Sequence, residues 1–422
     1  MRPDTYFERF SFCDEQIATP PLQDLGLAVV IPCYNEPDLI GSLESLWNCE
    51  RPGCAVEVMV VINAPLGCPA QIRTENERTF KEASEWITHH SDPRLTFHIL
   101  HFPNLPRKHA GVGLARKIGM DEAARRFAAV ARPDGIIVGY DADCRCDANY
   151  LTAIESHFRE RGRCPGCSIY FEHPLEGPLE PKVYEAIAAY ELHLRYYIRA
   201  LRYAGFPHAH QTIGSCMAVR SSAYKKQGGM NKRQAGEDFY FLQKIIPLGE
   251  FSDLTATRVI PSPRPSDRVP FGTGKAVADY LGERKSATYP LEAFQDLKTL
   301  FELVPDLSPK TLSKSTRALS KAMQTFLEKQ KFAAALEEIR ANTTNEVTFR
   351  SRFFKWFNAF IALKFIHFAR DDFYGERDVA DEAAKLLQVL PGGSKALKAA
   401  STRELLQVYR ALDRNGAARG RL

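Results

Sequence analysis

A run of apolar residues, Leu27-Ala28-Val29-Val30-Ile31, stops at Pro32 and gives way at once to Cys33-Tyr34-Asn35-Glu36. So short and β-branched a run, bounded by proline, is a buried parallel strand rather than a helix. Val56 to Ile62 repeats the pattern and breaks at Asn63-Ala64-Pro65, and Leu95 to Phe102 and Gly135 to Tyr140 supply two further strands. Helical stretches separate them, the first from about Asp38 to Trp47. Strands alternating with helices dictate βαβ units and an α/β, doubly wound, Rossmann-like sheet. In such sheets ligands bind beyond the carboxyl ends of the strands, so chemistry is expected at Tyr34-Asn35-Glu36, Asn63 and Asp141-Ala142-Asp143.

From about Ser286 onward strand signals vanish, and Ala, Leu, Lys and Glu fall into helical periodicity. The chain therefore divides into an N-terminal extension (1–25), an α/β domain (26–280) and an all-helical C-terminal region (281–422). With 422 residues, 45% of them hydrophobic, it can bury a large core, and a formal charge of +5 is too small and too scattered to indicate nucleic acid. The charged start MRPDTYFERF is not a signal peptide and no run is long enough to span a bilayer, so a cytoplasmic location is expected. Ten cysteines without regular spacing suit reduced thiols. Cys144-x-Cys146 and Cys164-x-x-Cys167 hold four thiolates, but the first pair should alternate across an extended segment, which disfavours zinc.

Two acidic pairs stand out. Asp141 and Asp143, one residue apart after the strand GIIVGY, project two carboxylates from one strand end, as Mn²⁺ or Mg²⁺ requires when substrate phosphates complete its shell. Glu237-Asp238 opens a helix over about Phe239 to Ile246, where the pair either caps the helix or supplies a carboxylate that takes a proton from a hydroxyl.

Taken in order, IPCYNEPDLI, VVINAP, GVGLARKIGMDEA, YDADC and AGEDF resemble the motifs of family-2 glycosyltransferases over about residues 26–275. The resemblance implies a GT-A type doubly wound mixed sheet, a nucleotide-sugar donor that is usually UDP-linked, a divalent cation and inversion at the anomeric carbon. It assigns Pro32, Tyr34 and Glu36 to the nucleoside pocket, with Asn63 at the base where members commonly have Asp. Arg116 matches a basic position near the donor, while Arg125 and Arg126 are expected on a solvated helix face. Asp141 would contact ribose or the metal's water shell, Asp143 would ligate the metal, and Asp238 would be the catalytic base with Glu237 beside it. His210, Gly214 and Ser215 lie in a strand and turn that members place beneath the acceptor.

Arg264 and Arg268, in the Pro- and Gly-rich stretch 261–274, have the spacing and forked donors to grip a diphosphate, helped by amides of Phe271 to Gly274. The Gln-x-x-Arg-Trp signature of processive members is absent. The expected activity is thus transfer of a hexosyl group to a hydroxyl of a glycan, lipid-linked or small-molecule acceptor. A sugar-nucleotide nucleotidyltransferase is the alternative enzyme class, and a sugar-binding or scaffolding relative the alternative without catalysis. The aromatic and basic stretch 349–368 fits either the centre of a helical bundle or peripheral contact with a membrane. The tyrosine-rich stretch 183–203 is expected to be a packed amphipathic helix.

Overall fold

The computed structural model describes residues 5–266, 268, 272–283, 286–307, 316–391 and 400–416. The chain forms two compact units, one of residues 1–178, 212–275 and 413–422, the other of residues 179–211 and 276–412. Residues 179–211 therefore cluster with the helical residues that follow position 275, although they fall inside the α/β region of the sequence.

The first unit is built on an eight-stranded sheet in the order β3-β2-β1-β4-β7-β6-β8-β5. Its strands are β1 (Leu25–Cys33), β2 (Ala55–Pro65), β3 (Leu95–Leu105), β4 (Ile136–Gly139), β5 (Arg145–Cys146), β6 (Gly166–Phe171), β7 (Met217–Arg220) and β8 (Ser252–Ile260). β3, β2, β1 and β4 run parallel, β7 runs antiparallel to both β4 and β6, and β8 returns parallel to β6. This is the doubly wound, mixed α/β sheet that the strand and helix alternation demands.

Both faces of β1 and β2 are covered, which is why they read as unbroken apolar runs. Ala28, Val30, Met59 and Val61 pack with Leu114, Ile118 and Phe127 of the helix Val112–Ala129, and the alternate residues Val29, Ile31, Val58 and Val60 are equally buried.

The N-terminal extension closes the far side of that helix. Asp121, on the helix, accepts hydrogen bonds from the Tyr6 and Tyr224 hydroxyls at 2.6 Å each and from the Phe12 amide at 3.2 Å. Glu122 accepts from the amides of Gln16 and Ile17. The expected solvated face at Arg125 and Arg126 is corrected accordingly. Arg126 is 3% exposed and pairs with the buried Glu57 of β2, while Arg125 donates to the Cys13 carbonyl. A helix between a sheet and a strap has no free face, and its guanidinium is buried only because a carboxylate meets it.

Among the described residues of the second unit the only strands are the two-residue pairing of Ala287–Thr288 with Arg377–Asp378, and the other elements are helices. The helix Pro181–Tyr203 packs on Leu291–Leu303 and Val379–Val389, burying Val183, Ile187, Leu192 and Tyr196. Its Glu191 is met by Arg195 and, through two bonds of 2.7 Å, by Arg410. The aromatic side of the stretch 349–368 is interior here, while Arg350, Arg352, Lys355 and Lys364 are exposed. Phe353, Phe354 and Phe357 are buried around Phe301, and Phe365 lies against Phe326. Asn358 divides the stretch into two helices, its side chain accepting from the amides of Phe360 and Ile361. No helix among the described residues is long and apolar enough to cross a membrane.

Candidate active site

At the carboxyl end of β4 the chain enters Asp141-Ala142-Asp143-Cys144. Ligand atoms of Asp141, Asp143 and Cys144 lie within 4.8 Å of one another, the one such group of three among the described residues. The other cysteines of the two Cys pairs do not join it, and all ten thiols are free. Cys144 is fully buried, and burial, then the charges of Asp143 and Asp141, push its thiol far above its usual range. A protonated, soft sulfur is no ligand for Mg²⁺ or Mn²⁺, so the two carboxylates are the donors that fit a hard cation.

Asp143 is half-buried, and its acid is pushed up to about 6, first by burial and then by Asp141 and Glu36, with Arg268 and Arg264 opposing. A site that concentrates carboxylates to this degree is relieved by any cation that enters it.

Two such cations come from the chain itself. Arg264 Nη2 lies 2.8 Å and Arg268 Nη1 2.7 Å from Glu36, and each guanidinium is 3.6 Å from Asp143. Arg268 also donates to the Tyr34 carbonyl at 3.3 Å. Both arginines remain about 30% exposed, whereas the Glu36 side chain beneath them is 1% exposed. Glu36, expected to touch a nucleoside, is instead engaged by the two arginines expected to touch a diphosphate. Of the amide donors anticipated nearby, Gly272 to Gly274 are described, and Phe271, with Asp267, Val269 and Pro270, lies outside the described residues.

The remaining strand-end residues line the same rim. Pro32 closes β1, Tyr34 is half-buried, and Asn63 is buried near the end of β2. Asn76 and Thr79, not singled out from the sequence, lie on the helix Ala70–His89 and hold this rim together. Asn76 accepts from the Asn35 amide at 2.9 Å and donates to the Asn63 carbonyl at 3.1 Å, while the Thr79 hydroxyl donates to the Glu36 carbonyl at 3.1 Å. Asn35 itself has a φ of 50°, a left-handed conformation that asparagine tolerates better than most residues. In the sequence the clamp shows only as two short polar residues three apart, on a helix that also carries Gln71, Thr74, Ser84 and Thr88.

The second acidic pair is set by Gly236, whose φ of 68° turns the chain into the helix Glu237–Ile245. Glu237 is 3% exposed and accepts from Arg116 Nε at 2.9 Å. Asp238 accepts from the Gly214 amide at 2.8 Å and from the Phe239 amide at 2.7 Å, so both oxygens are oriented by backbone. Burial raises both acids. Glu237 reaches about 7, with Asp238 adding to the rise and Arg116 opposing it, and Asp238 shifts in the same direction.

Arg116 joins the two pairs. Its Nη2 lies 2.5 Å from Asp141, its Nε bonds Glu237, and its Nη1 is buried with no partner among the described residues. A side chain on Gly214 would stand 2.6 Å from that guanidinium, so the glycine is what lets the arginine lie flat against the turn. Ser215 is 3% exposed, with its hydroxyl beside the Cys216 thiol, so it does not present that hydroxyl to solvent. His210 belongs to the second unit and not to the unit that carries these acids.

Comparison with protein families gives no match, and comparison with curated protein sequences gives none. Among solved structures the chain is similar to residues 1–349 of S. aureus TarS in complex with UDP-GlcNAc, at 14% identity and a TM-score of 0.39, over 93% of this chain and 89% of that one. The same protein in complex with UDP gives 13% identity, a TM-score of 0.39 and the same coverage. Likeness at this level decides nothing about chemistry.

Proposed function

We propose that the chain is a glycosyltransferase that moves a hexosyl group from a nucleotide-diphosphate sugar, UDP-linked, to a hydroxyl, with inversion and with Asp238 as base. The observation that carries this reading is the bridge made by Arg116. One buried guanidinium bonds a carboxylate of the metal-type pair and a carboxylate of the base-type pair, so both acidic sites lie within the span of a single side chain.

Each residue then has a physical task. Asp141 and Asp143 supply the charged oxygens for Mn²⁺ or Mg²⁺, and a cation bound there would stabilise charge on a departing diphosphate. Arg264 and Arg268 offer forked, charge-assisted bonds to the same diphosphate, and Glu36 holds both in place from below. Pro32, Tyr34 and Asn63 remain for the nucleoside, the Asn63 amide acting as donor and acceptor toward the base. Asp238, with a raised affinity for protons and both oxygens fixed by amides, takes the proton from the attacking hydroxyl. Glu237 and Arg116 fix the electrostatic setting of that base. Gly214 stays a candidate for acceptor contact.

The test is release of UDP from a panel of UDP-sugars, with and without Mn²⁺. Metal-dependent hydrolysis is expected even without acceptor. Asp143→Asn should remove it, because an amide offers a neutral oxygen where a charged ligand is needed. Failure of every nucleotide sugar to bind or react, in calorimetry and in turnover, would refute the reading.

A further inference from the structure

Two loops of one charge sign meet beside the Glu237–Asp238 pair. The first, residues 106–111, follows β3 and carries the exposed Arg107 and Lys108 and the half-buried His109. The second, residues 231–236, leads into the helix Glu237–Ile245 and carries the exposed Lys232 and Arg233. Neither loop, nor the chain from 104 to 120 and from 221 to 236 around them, contains an Asp or a Glu.

The loops are fastened to each other and to the first residue of the helix that carries the candidate base. The Gly113 amide donates to the Arg233 carbonyl at 3.2 Å, and Gln234 Nε2 to the Arg107 carbonyl at 3.3 Å. Asn231 Nδ2 donates to the Glu237 carbonyl at 2.8 Å. Arg107 is braced by the carbonyls of Leu66 and Gly67, and the Arg233 guanidinium lies 3.6 Å from the ring centre of Tyr240, which is 37% exposed and two residues beyond Asp238. Among the described residues, no carboxylate pairs with Arg107, Lys108, Lys232 or Arg233. Lys232 lies over the Phe12 ring at 5.8 Å. Four like charges on two joined loops, none with a carboxylate partner, make a local positive field that favours a negatively charged ligand.

We propose that this rim binds the acceptor, and that the acceptor is an anionic chain carrying repeated phosphate or carboxylate groups. The proposal rests on the reading of Asp238 as the base, since the rim is anchored to that residue's own helix. The donor's diphosphate does not account for the rim, because in the proposed site Arg264, Arg268 and a cation held by Asp141 and Asp143 would serve it. Four cations spread over two loops match charges distributed along a chain better than a single phosphate. The exposed Tyr240 ring, backed by Arg233, gives such a chain an apolar surface to lie on.

Calorimetry on the full chain decides it, with inorganic polyphosphate, polygalacturonate and neutral dextran as probes. At least one polyanion should bind, weakening steeply as salt is raised, and dextran should not. The variant Lys108→Ala/Lys232→Ala/Arg233→Ala should lose about tenfold or more in polyanion affinity while binding UDP with Mn²⁺ as the unaltered protein does. A control with Lys321→Ala, Lys331→Ala and Lys364→Ala, all exposed in the helical unit, should keep the affinity. Preference for polyphosphate or for polygalacturonate identifies the anion. Equal losses in the two variants, or a parallel loss of UDP affinity, would overturn the proposal. Intact metal-dependent hydrolysis of UDP-sugars with no polyanion binding would overturn it alone and leave the glycosyltransferase reading standing.

Discussion

Burial disfavours the charge on Arg116, but Asp141 and Glu237 more than offset it, and through this guanidinium each acidic pair feels the other. The neighbouring acids carry the first two predictions. Asp238→Asn should leave donor affinity nearly intact and lower turnover by about a hundredfold or more, the contribution of a positioned general base. Glu237→Gln should be milder, since an amide oxygen still accepts from Arg116; if steady-state kinetics reverse that order, the base is Glu237. Stability should respond to pH with a definite sign. Glu237 titrates near 4.5 when unfolded and near 7 when folded, first because it is buried. Below about pH 4.5 both states are protonated and the residue costs nothing. Between about pH 4.5 and 7 the unfolded chain ionises this acid while the folded protein keeps it protonated, so stability is lost across that window and the loss is complete above it. Thermal melts should show Glu237→Gln more stable than the unaltered protein at pH 8 and indistinguishable from it near pH 4.5. These acids could be picked out in the sequence because each follows a strand or opens a helix. Glu36 could not be placed, because nothing in Tyr34-Asn35-Glu36 reveals two arginines more than two hundred residues away, nor does Asn76 announce that it ties two strand ends together.

Among the elements, β1 to β4 could be located within a few residues because parallel strands covered on both faces must be apolar throughout. β6 and β8 were not foreseen. Gly166-Cys167-Ser168 opens β6 with weak strand formers, and Ser252–Ile260 mixes exposed and buried positions without a clean alternation. The segment bearing Arg264 and Arg268 stands out by its composition, but its partners in the folded chain, Glu36 and the Tyr34 carbonyl, do not. If the proposed donor site is right, replacing both arginines with alanine should weaken a nucleoside diphosphate far more than the free nucleoside, whose proposed contacts at Tyr34 and Asn63 are untouched. The segment should also be cut sooner by protease in the variant, having lost its two bonds to Glu36. Equal losses for nucleoside and diphosphate, with unchanged cleavage, would make it a plain connector.

For the molecule as a whole, the interleaving of the two units matters more than where either begins. Sequence periodicity separates strands from helices, but it does not tell which core an amphipathic helix joins, and so the helix Pro181–Tyr203 reads as part of the α/β region. A fragment ending at 275 would contain the entire eight-stranded sheet, yet it would also contain this helix without the two that cover Val183, Ile187, Leu192 and Tyr196. Such a fragment should aggregate on expression, since a face of this size is an association site once uncovered. Deleting residues 179–211 along with the C-terminal residues, and joining 178 to 212 by a short glycine-serine linker, should restore a soluble product by size-exclusion chromatography. The chain passes from one unit to the other four times, at 178/179, 211/212, 275/276 and 412/413. Neither unit is therefore a cassette that recombination could deliver in one stroke: a single crossover anywhere along the gene leaves at least one of the two incomplete, so the pair is inherited, exchanged or lost together.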